Sequence, residues 1–143
     1  KSKIIFEPGR SIIGNTGTLI SKIIYIKKSG KKNFIILDAA MNDLMRPALY
    51  GAIHRIMPSL KNNKISNENH EFVGPICEST DSFLNLKKFQ ELRENELVVI
   101  CDVGAYGMSL SSNYNLRPKP IELLIKGSKI KVIKKRQRHK DFI

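Results

Sequence analysis

Short apolar runs that alternate with polar positions recur along most of the chain. Residues 18–28 alternate and are rich in Ile, and residues 33–37 form a second run after the polar segment 29–32, which contains Gly30. A period of two residues is typical of strands with one buried face, and a short polar turn between two such runs predicts a β-hairpin. Further short apolar runs predict more strands, at residues 3–6, 53–57, 70–76, 97–103, 121–125 and 129–133.

Three segments depart from this alternation. Residues 38–50 carry Met, Leu and Ala at helical spacing around Pro47, which predicts a short, broken helix. Residues 61–69 are polar and predict a loop, and residues 85–94 predict a turn or two of helix. Several strands separated by turns then predict a mainly β fold, an antiparallel β-barrel or sandwich.

Length and composition fit one globular domain without a membrane span. The chain has 143 residues, 41% of them hydrophobic, and no apolar run approaches the roughly 18 to 20 residues needed to cross a bilayer. Cys77 and Cys101 form neither a disulfide framework nor a CxxC zinc motif, and the three histidines are scattered. We therefore expect a cytoplasmic protein that binds no metal and contacts no membrane.

The net charge of +12 is compatible with nucleic-acid binding. Of the 25 basic residues, 18 are Lys, and they are spread along the chain among Ile and Asn. Net charge speaks to solubility and non-specific association more than to function, and single-strand binders need aromatic platforms along a basic groove. With 7% aromatic residues and no Trp, a basic β-barrel that binds nucleic acid remains an alternative with little support. The basic run 134–140 predicts a solvated tail.

Four short segments combine Gly or Pro with residues able to do chemistry. They are Phe6-Glu7-Pro8-Gly9-Arg10-Ser11, Met45-Arg46-Pro47-Ala48-Leu49-Tyr50, Gly74-Pro75-Ile76-Cys77-Glu78-Ser79-Thr80-Asp81 and Asp102-Val103-Gly104-Ala105-Tyr106-Gly107. Each is weak alone. In this order and spacing they resemble the fold-type III, alanine-racemase-like family of pyridoxal-phosphate enzymes, and within it the diaminopimelate decarboxylases.

The resemblance implies a division of the chain. In that family a (β/α)8 barrel precedes a mainly antiparallel β domain, so residues 1–14 would be the last strand and the phosphate-side loop of a barrel that is otherwise absent. Residues 15–143 would be the C-terminal β domain. The family's Schiff-base Lys lies early in the barrel, and none of the 18 Lys of this chain has the matching context. We therefore expect this fragment alone to be inactive.

The resemblance assigns the first and last motifs to the cofactor, pyridoxal 5'-phosphate. Phosphate sites in such barrels are commonly built from the loops after the last strands, and Pro8-Gly9 lets the backbone turn and approach an anion closely. Glu7 would face the pyridine nitrogen, where a carboxylate holds the proton. Arg10 would serve the cofactor phosphate or a substrate carboxylate. Tyr106 would lie against the cofactor and the bound substrate.

The other two motifs are assigned to the substrate. The family's substrate-binding Arg and Tyr fall on Arg46 and Tyr50, and a guanidinium binds a carboxylate bidentately. Two arginines, Arg46 and Arg10, suit a dicarboxylate. By resemblance, Cys77 is the acid that protonates the carbon left after CO2 departs, and Glu78 binds the distal amino group of diaminopimelate.

The function implied is decarboxylation of meso-2,6-diaminopimelate to L-lysine and CO2, the last step of lysine biosynthesis. In the family the enzyme is a homodimer in which the Cys-Glu segment reaches into the partner's site. Ornithine- and arginine-type decarboxylases carry Asp directly after this Cys, so Glu78 favours diaminopimelate. A decarboxylase of another basic amino acid, and a degenerate remnant that only assembles with a partner, remain alternatives.

Overall fold

The structure, a computed structural model, describes residues 2–142, so Lys1 and Ile143, the outer ends of the two predicted domains, lie outside the described residues. Strands dominate this range, which confirms the prediction of a mainly β fold. The strands are β1 (Leu19–Ser29), β2 (Lys32–Leu37), β3 (Ile56–Pro58), β4 (Ile65–Val73), β5 (Ser82–Gln90), β6 (Leu97–Ile100), β7 (Glu122–Lys126) and β8 (Lys129–Lys134). The short helices are α1 (Arg10–Ile13), α2 (Arg46–Tyr50) and α3 (Gly107–Leu110), with 3-10 turns at Gly14–Thr16, Tyr114–Leu116 and His139–Phe142.

Six strands form one sheet in the order β3-β6-β1-β2-β4-β5. The long strand β1 pairs with β6 through its first residues and with β2 through its later ones, and its register with β2 shifts after Ile23. The predicted hairpin is confirmed, because Ser29 pairs with Lys32 across a two-residue turn. The pairing of β2 with β4 is parallel, whereas the sheet's other pairings are antiparallel.

The two edges of this sheet approach each other. The side-chain amide of Gln90, at the end of β5, donates to the carbonyl oxygen of Leu60 at 2.8 Å and accepts the N–H of Asn62 at 3.2 Å. Leu60 and Asn62 follow the edge strand β3. The sheet is therefore a nearly closed, barrel-like structure, and the predicted barrel is confirmed.

The inner face of the barrel is mostly apolar. Alternate residues of β2 are buried, and Phe72 of β4 is fully buried with its ring edge against Phe89, 5.3 Å between centroids. Burying each large side chain stabilises the fold by roughly 1.5–3 kcal/mol. The core residues are Ile23, Ile35, Leu37, Ala39, Leu44, Ile56, Phe72, Phe83, Val98 and Ile100. Among the described residues no helix combines the length and apolar character needed to cross a membrane.

Strands β7 and β8 form a separate two-stranded hairpin with exposed side chains on both faces. The basic run that follows is exposed, as predicted, except near Gln137. The side-chain oxygen of Gln137 accepts hydrogen bonds from the Asn113 side chain at 2.7 Å and from the N–H of Lys119 at 3.1 Å. The tail is therefore anchored at one point.

Two strands form where the sequence predicted other structure. Strand β4 occupies much of the predicted loop 61–69, and β5 replaces the predicted helical turns of residues 85–94. Both predictions were wrong for one reason. The two strands are antiparallel partners, and β4 also pairs with β2, so ladder partners distant in sequence stabilise polar segments with little local strand pattern.

Two more predictions need correction. The helix predicted for residues 38–50 is confined to α2, and Pro47 stands in its first turn, where its missing N–H is not needed, so it begins the helix instead of breaking it. Residues 3–6 form no strand, and their apolar side chains are at least 80% exposed. A strand requires a hydrogen-bonded neighbour, and residues 2–142 provide none for this segment. The domain boundary after residue 14 stays a prediction.

Gly104 joins the N-terminal segment to the end of the barrel. Its N–H donates to the carbonyl oxygen of Gly14 at 2.9 Å, and the N–H of Val103 donates to that of Gly17 at 3.0 Å. A Cβ on Gly104 would lie 2.0 Å from the carbonyl oxygen of Ile13. Only Gly fits this approach, which holds the region after the first motif against the fourth.

Replacing Gly104 with Ala should therefore destabilise the protein by about 1–3 kcal/mol, because an added methyl group must displace backbone atoms. The matched control is Gly107→Ala, where an added Cβ meets the Val103 side chain at 3.6 Å, an ordinary contact. Urea unfolding of both variants measures the two losses. Equal losses in the two variants would contradict the close approach at Gly104.

Candidate active site

Arg46, at the start of α2, lies between a buried histidine and an exposed tyrosine. Its guanidinium carbon is 5.9 Å from the centroid of the Tyr106 ring, within cation–π range. Its Nη1 is 3.3 Å from Nε2 of His54. His54 is 1% exposed, and its Nδ1 is 2.9 Å from the carbonyl oxygen of Cys101. The second and fourth motifs therefore meet directly in one cluster.

The turn that carries Tyr106 has an unusual backbone. Tyr106 has φ 61° and ψ 7°, the left-handed conformation that side chains other than Gly adopt at a cost of about 1–3 kcal/mol. Its ring remains 51% exposed. Gly104, two residues earlier, packs against the N-terminal segment and holds this turn in place. The Tyr106 ring therefore lies beside Arg46 with half of its surface open to a ligand.

Cys77 and Glu78 occupy the loop between β4 and β5. Both side chains are exposed, and Cys77 is a free thiol. The N–H of Glu78 donates to the carbonyl oxygen of Ile76 at 2.8 Å, and its carboxylate accepts the Ser79 hydroxyl at 3.3 Å. No hydrogen bond or ion pair among residues 2–142 joins Cys77 or Glu78 to Arg46. The thiol and carboxylate therefore face outward on a tightly turned loop.

Asp81 fastens this loop to the segment that leads into α2. One carboxylate oxygen accepts the N–H of Met41 at 2.7 Å, and the other accepts the N–H of Ile76 at 2.8 Å. Its carbonyl oxygen accepts the N–H of Gly74 at 2.9 Å. The carboxylate also fills the space beside Gly74. A Cβ added to Gly74 would lie 2.2 Å from a carboxylate oxygen of Asp81. The third motif is thus connected, through one 3%-exposed side chain, to the segment that precedes the second motif.

Burial raises the pKa of Asp81 above its ordinary value, although the N–H groups of Ile76 and Met41 and the charge of Arg117 oppose the rise. Burial likewise raises the pKa of Asp43, opposed by the Ala40 N–H and by Arg117. The Nε of Arg117 donates to the side-chain oxygen of Asn42 at 3.0 Å. This bond connects the segment before β7 to the segment before α2.

The first motif lies open to solvent. Glu7, Pro8, Gly9 and Arg10 are exposed. The carbonyl oxygen of Gly9 accepts the N–H of Ile12 at 3.0 Å, and a Cβ on Gly9 would have no atom within 4 Å. The hydrogen bonds and ion pairs of residues 2–142 include none from the Glu7 or Arg10 side chains. The Glu7 carboxylate fits the ring nitrogen of the predicted cofactor. The approachable backbone at Gly9 and the Arg10 guanidinium fit its phosphate.

The structure joins the second and fourth motifs directly and links the first and third to them only through neighbouring residues, so it does not complete a site. Tyr50 is exposed at the end of α2 and is not part of the cluster around Arg46. His54 and Asp81 are the two residues that sequence reasoning missed. In the sequence His54 is one of three scattered histidines, and Asp81 stands at the end of the third motif. Each has one partner that is distant in sequence, Cys101 for His54 and Met41 for Asp81, so local pattern alone does not identify either role.

Other candidate sites are absent or lie elsewhere. Among the described residues no group of three His, Cys, Asp or Glu is arranged to hold a metal ion. A cavity of about 540 Å³ opens beside β2 and β4, lined by residues that include Asn33, Glu68 and His70. It shares no residue with the four motifs, so we place the candidate site at the motifs.

Residues 11–104 match the family model described as the C-terminal sheet domain of pyridoxal-dependent decarboxylases. The whole chain is 43% identical to a diaminopimelate decarboxylase of Aquifex aeolicus, and 97% of it is 46% identical to one of Helicobacter pylori. The chain spans about a third of these relatives, 34% of each. A crystal structure of the Helicobacter pylori enzyme complexed with L-lysine matches 94% of this chain with a TM-score of 0.85 and 46% identity, and 33% of that chain is covered.

The raised pKa of Asp81 has a measurable consequence for stability. A carboxyl group whose folded pKa is raised contributes stability that is present below the unfolded pKa, about 3.9, and is lost as pH rises through the folded pKa. We expect the free energy of unfolding of the wild type, minus that of Asp81→Asn, to decrease as pH rises from about 4 towards neutrality. Urea unfolding across this range measures the difference.

The control for this measurement is Asp141→Asn, which removes an exposed carboxylate whose oxygen accepts the N–H of Arg138 at 2.7 Å. It reports the effect of losing one negative charge. A difference between wild type and Asp81→Asn that increases with pH would show that burial does not dominate at Asp81.

Proposed function

Because this chain belongs to the pyridoxal-dependent decarboxylases, we propose that it is the C-terminal domain of an enzyme that converts meso-2,6-diaminopimelate to L-lysine and CO2. The observation that supports this most is the connected arrangement of Arg46, Tyr106 and the Cys77-Glu78 loop in a chain 43–46% identical to diaminopimelate decarboxylases. The cofactor-binding Lys would lie in a barrel outside the printed sequence. The proposal includes that this chain alone is inactive.

The first motif and Tyr106 would hold the cofactor. Bound pyridoxal phosphate draws electrons away from the substrate carbon that loses CO2. Glu7 keeps a proton at the ring nitrogen, and Arg10 and the open backbone of Gly9 bind the phosphate. The exposed side chains of Glu7 and Arg10, and the empty space beside Gly9, support these roles.

Arg46 would bind the carboxylate at the end of diaminopimelate that is retained, with Tyr50 and Arg10 adding contacts. Glu78 would bind the ammonium group at that same end, since a carboxylate compensates the cost of desolvating an ammonium. Cys77 would give its thiol proton to the carbon that has lost CO2. Because Cys77 is exposed, water can return the proton to its sulfur after turnover.

The proposal includes a homodimer with shared sites. Cys77 and Glu78 face outward and form no hydrogen bond or ion pair with Arg46 within residues 2–142, so they are free to enter a site on a second copy. We also propose a cytoplasmic location, because a reducing compartment keeps an exposed catalytic thiol free. In this arrangement Arg46 and Tyr106 serve their own subunit's substrate, and Cys77 and Glu78 serve the partner's.

The direct test is CO2 release by the complete protein that contains this chain. We expect meso-diaminopimelate to be preferred over ornithine, arginine and lysine. Glu78→Asp should lower kcat/KM for diaminopimelate by about 10- to 100-fold, because the shorter side chain withdraws the carboxylate from the distal ammonium. Glu91→Asp, a change of the same size after β5, is the control. A wild-type preference for ornithine or arginine would overturn the substrate assignment.

Shared sites can be tested by mixing two inactive proteins. Cys77→Ala lacks the proton donor, and a second variant lacks the barrel Lys. If each site uses Cys77 from one subunit and the Lys from the other, random mixed dimers contain one intact site, and activity should recover to about a quarter of wild type. Each variant incubated alone is the control. Failure to recover activity, with subunit exchange confirmed by mass, would count against shared sites.

A further inference from the structure

His54 is a buried titratable residue for which the proposed mechanism gives no role. It lies after α2 and is 1% exposed. Both ring nitrogens have partners, Nε2 with the Arg46 guanidinium at 3.3 Å and Nδ1 with the Cys101 carbonyl oxygen at 2.9 Å. A buried imidazole with two specific partners is fixed in orientation.

The chemistry of these partners determines the protonation state. A carbonyl oxygen can only accept, so Nδ1 must carry the proton that is donated to Cys101. A guanidinium can only donate, so Nε2 must present a lone pair to Arg46. A protonated ring would instead direct a second N–H towards Arg46 and place two cations in contact away from water. Only the neutral Nδ1–H tautomer satisfies both contacts.

We propose that His54 is a positioning residue. Its neutral imidazole accepts a hydrogen bond from the Arg46 guanidinium and so fixes the orientation of that group. Arg46 is then held at two points, by Nε2 of His54 and by the face of the Tyr106 ring. The bond to His54 uses one of the five guanidinium N–H groups, and the others remain free for a carboxylate. The functional part of this inference rests on the proposed role of Arg46.

A neutral acceptor has an advantage over a carboxylate at this position. A carboxylate would also orient the guanidinium, but it would compensate its positive charge and compete with the incoming substrate carboxylate. The imidazole orients Arg46 and leaves its full charge for the ligand. This arrangement therefore suits recognition of an anionic group by Arg46.

The first experiment determines the tautomer directly. The complete protein is labelled with 15N-histidine, and the ring signals of His54 are assigned by comparison with His54→Gln. At neutral pH we expect the pattern of the Nδ1–H tautomer, with Nε2 unprotonated. An Nε2–H tautomer or a doubly protonated ring would overturn the proposal. This readout does not depend on the substrate, so it remains decisive even if diaminopimelate decarboxylation were disproved.

The second experiment separates positioning from stability. His54→Leu removes the acceptor and should raise KM for meso-diaminopimelate, and the dissociation constant of L-lysine, about tenfold, with a smaller change in kcat. His54→Gln retains a neutral acceptor and should restore both values to within about threefold of wild type. The matched control is His70→Leu, because His70 is also buried, at 2% exposure, but lines the separate cavity.

His70→Leu should lower thermal stability and change KM less than about twofold. A KM increase in His54→Leu no larger than that in His70→Leu would reduce His54 to a structural residue. Combining His54→Leu with Arg46→Lys gives the coupling between the two side chains. We expect the His54 substitution to add little once Arg46 is replaced, and fully additive effects would contradict the proposal.

Discussion

The carboxylate of Asp81 is the contact on which the candidate site depends, because it accepts N–H groups from two segments that the chain order separates. Ile76 precedes the catalytic candidate Cys77, and Met41 precedes α2 and Arg46. The carboxylate is almost fully buried, and two backbone donors offset part of the cost of burying it. This contact therefore holds the Cys77 loop against the segment that leads into the helix carrying Arg46, together with a weaker contact between the Thr80 hydroxyl and the Met41 sulfur.

The barrel provides the frame for these contacts. Strand β6 ends at Ile100, and the next residue, Cys101, supplies the carbonyl oxygen that orients His54. The turn after it carries Gly104, which packs on the N-terminal segment, and Tyr106, which faces Arg46. The strand ends and turns of the barrel thus position Tyr106 and the supporting residue His54 around Arg46. Most of the side chains proposed for the site are exposed.

The mainly β fold and the β1–β2 hairpin could be predicted from local pattern, whereas the roles of the motif residues stay predictions. The four motifs contain their own reactive residues, so Arg46, Cys77, Glu78 and Tyr106 could be selected without a structure. The first part of β4 and the whole of β5 could not, since these segments become strands by pairing with each other and, for β4, also with β2. For the same reason the supporting residues were missed: Asp81 acts through Met41, and that contact exists only in the folded chain.

A crystal structure of the complete protein with pyridoxal phosphate and L-lysine would test this account most directly. Loss of CO2 from one end of diaminopimelate leaves the α-amino acid end of lysine intact. We expect Arg46 of one subunit to bind this carboxylate and Glu78 of the partner to bind the α-ammonium, with the partner's Cys77 close to the carbon that was protonated. Lysine bound without Arg46, or Cys77 and Glu78 remote from every bound lysine, would contradict it.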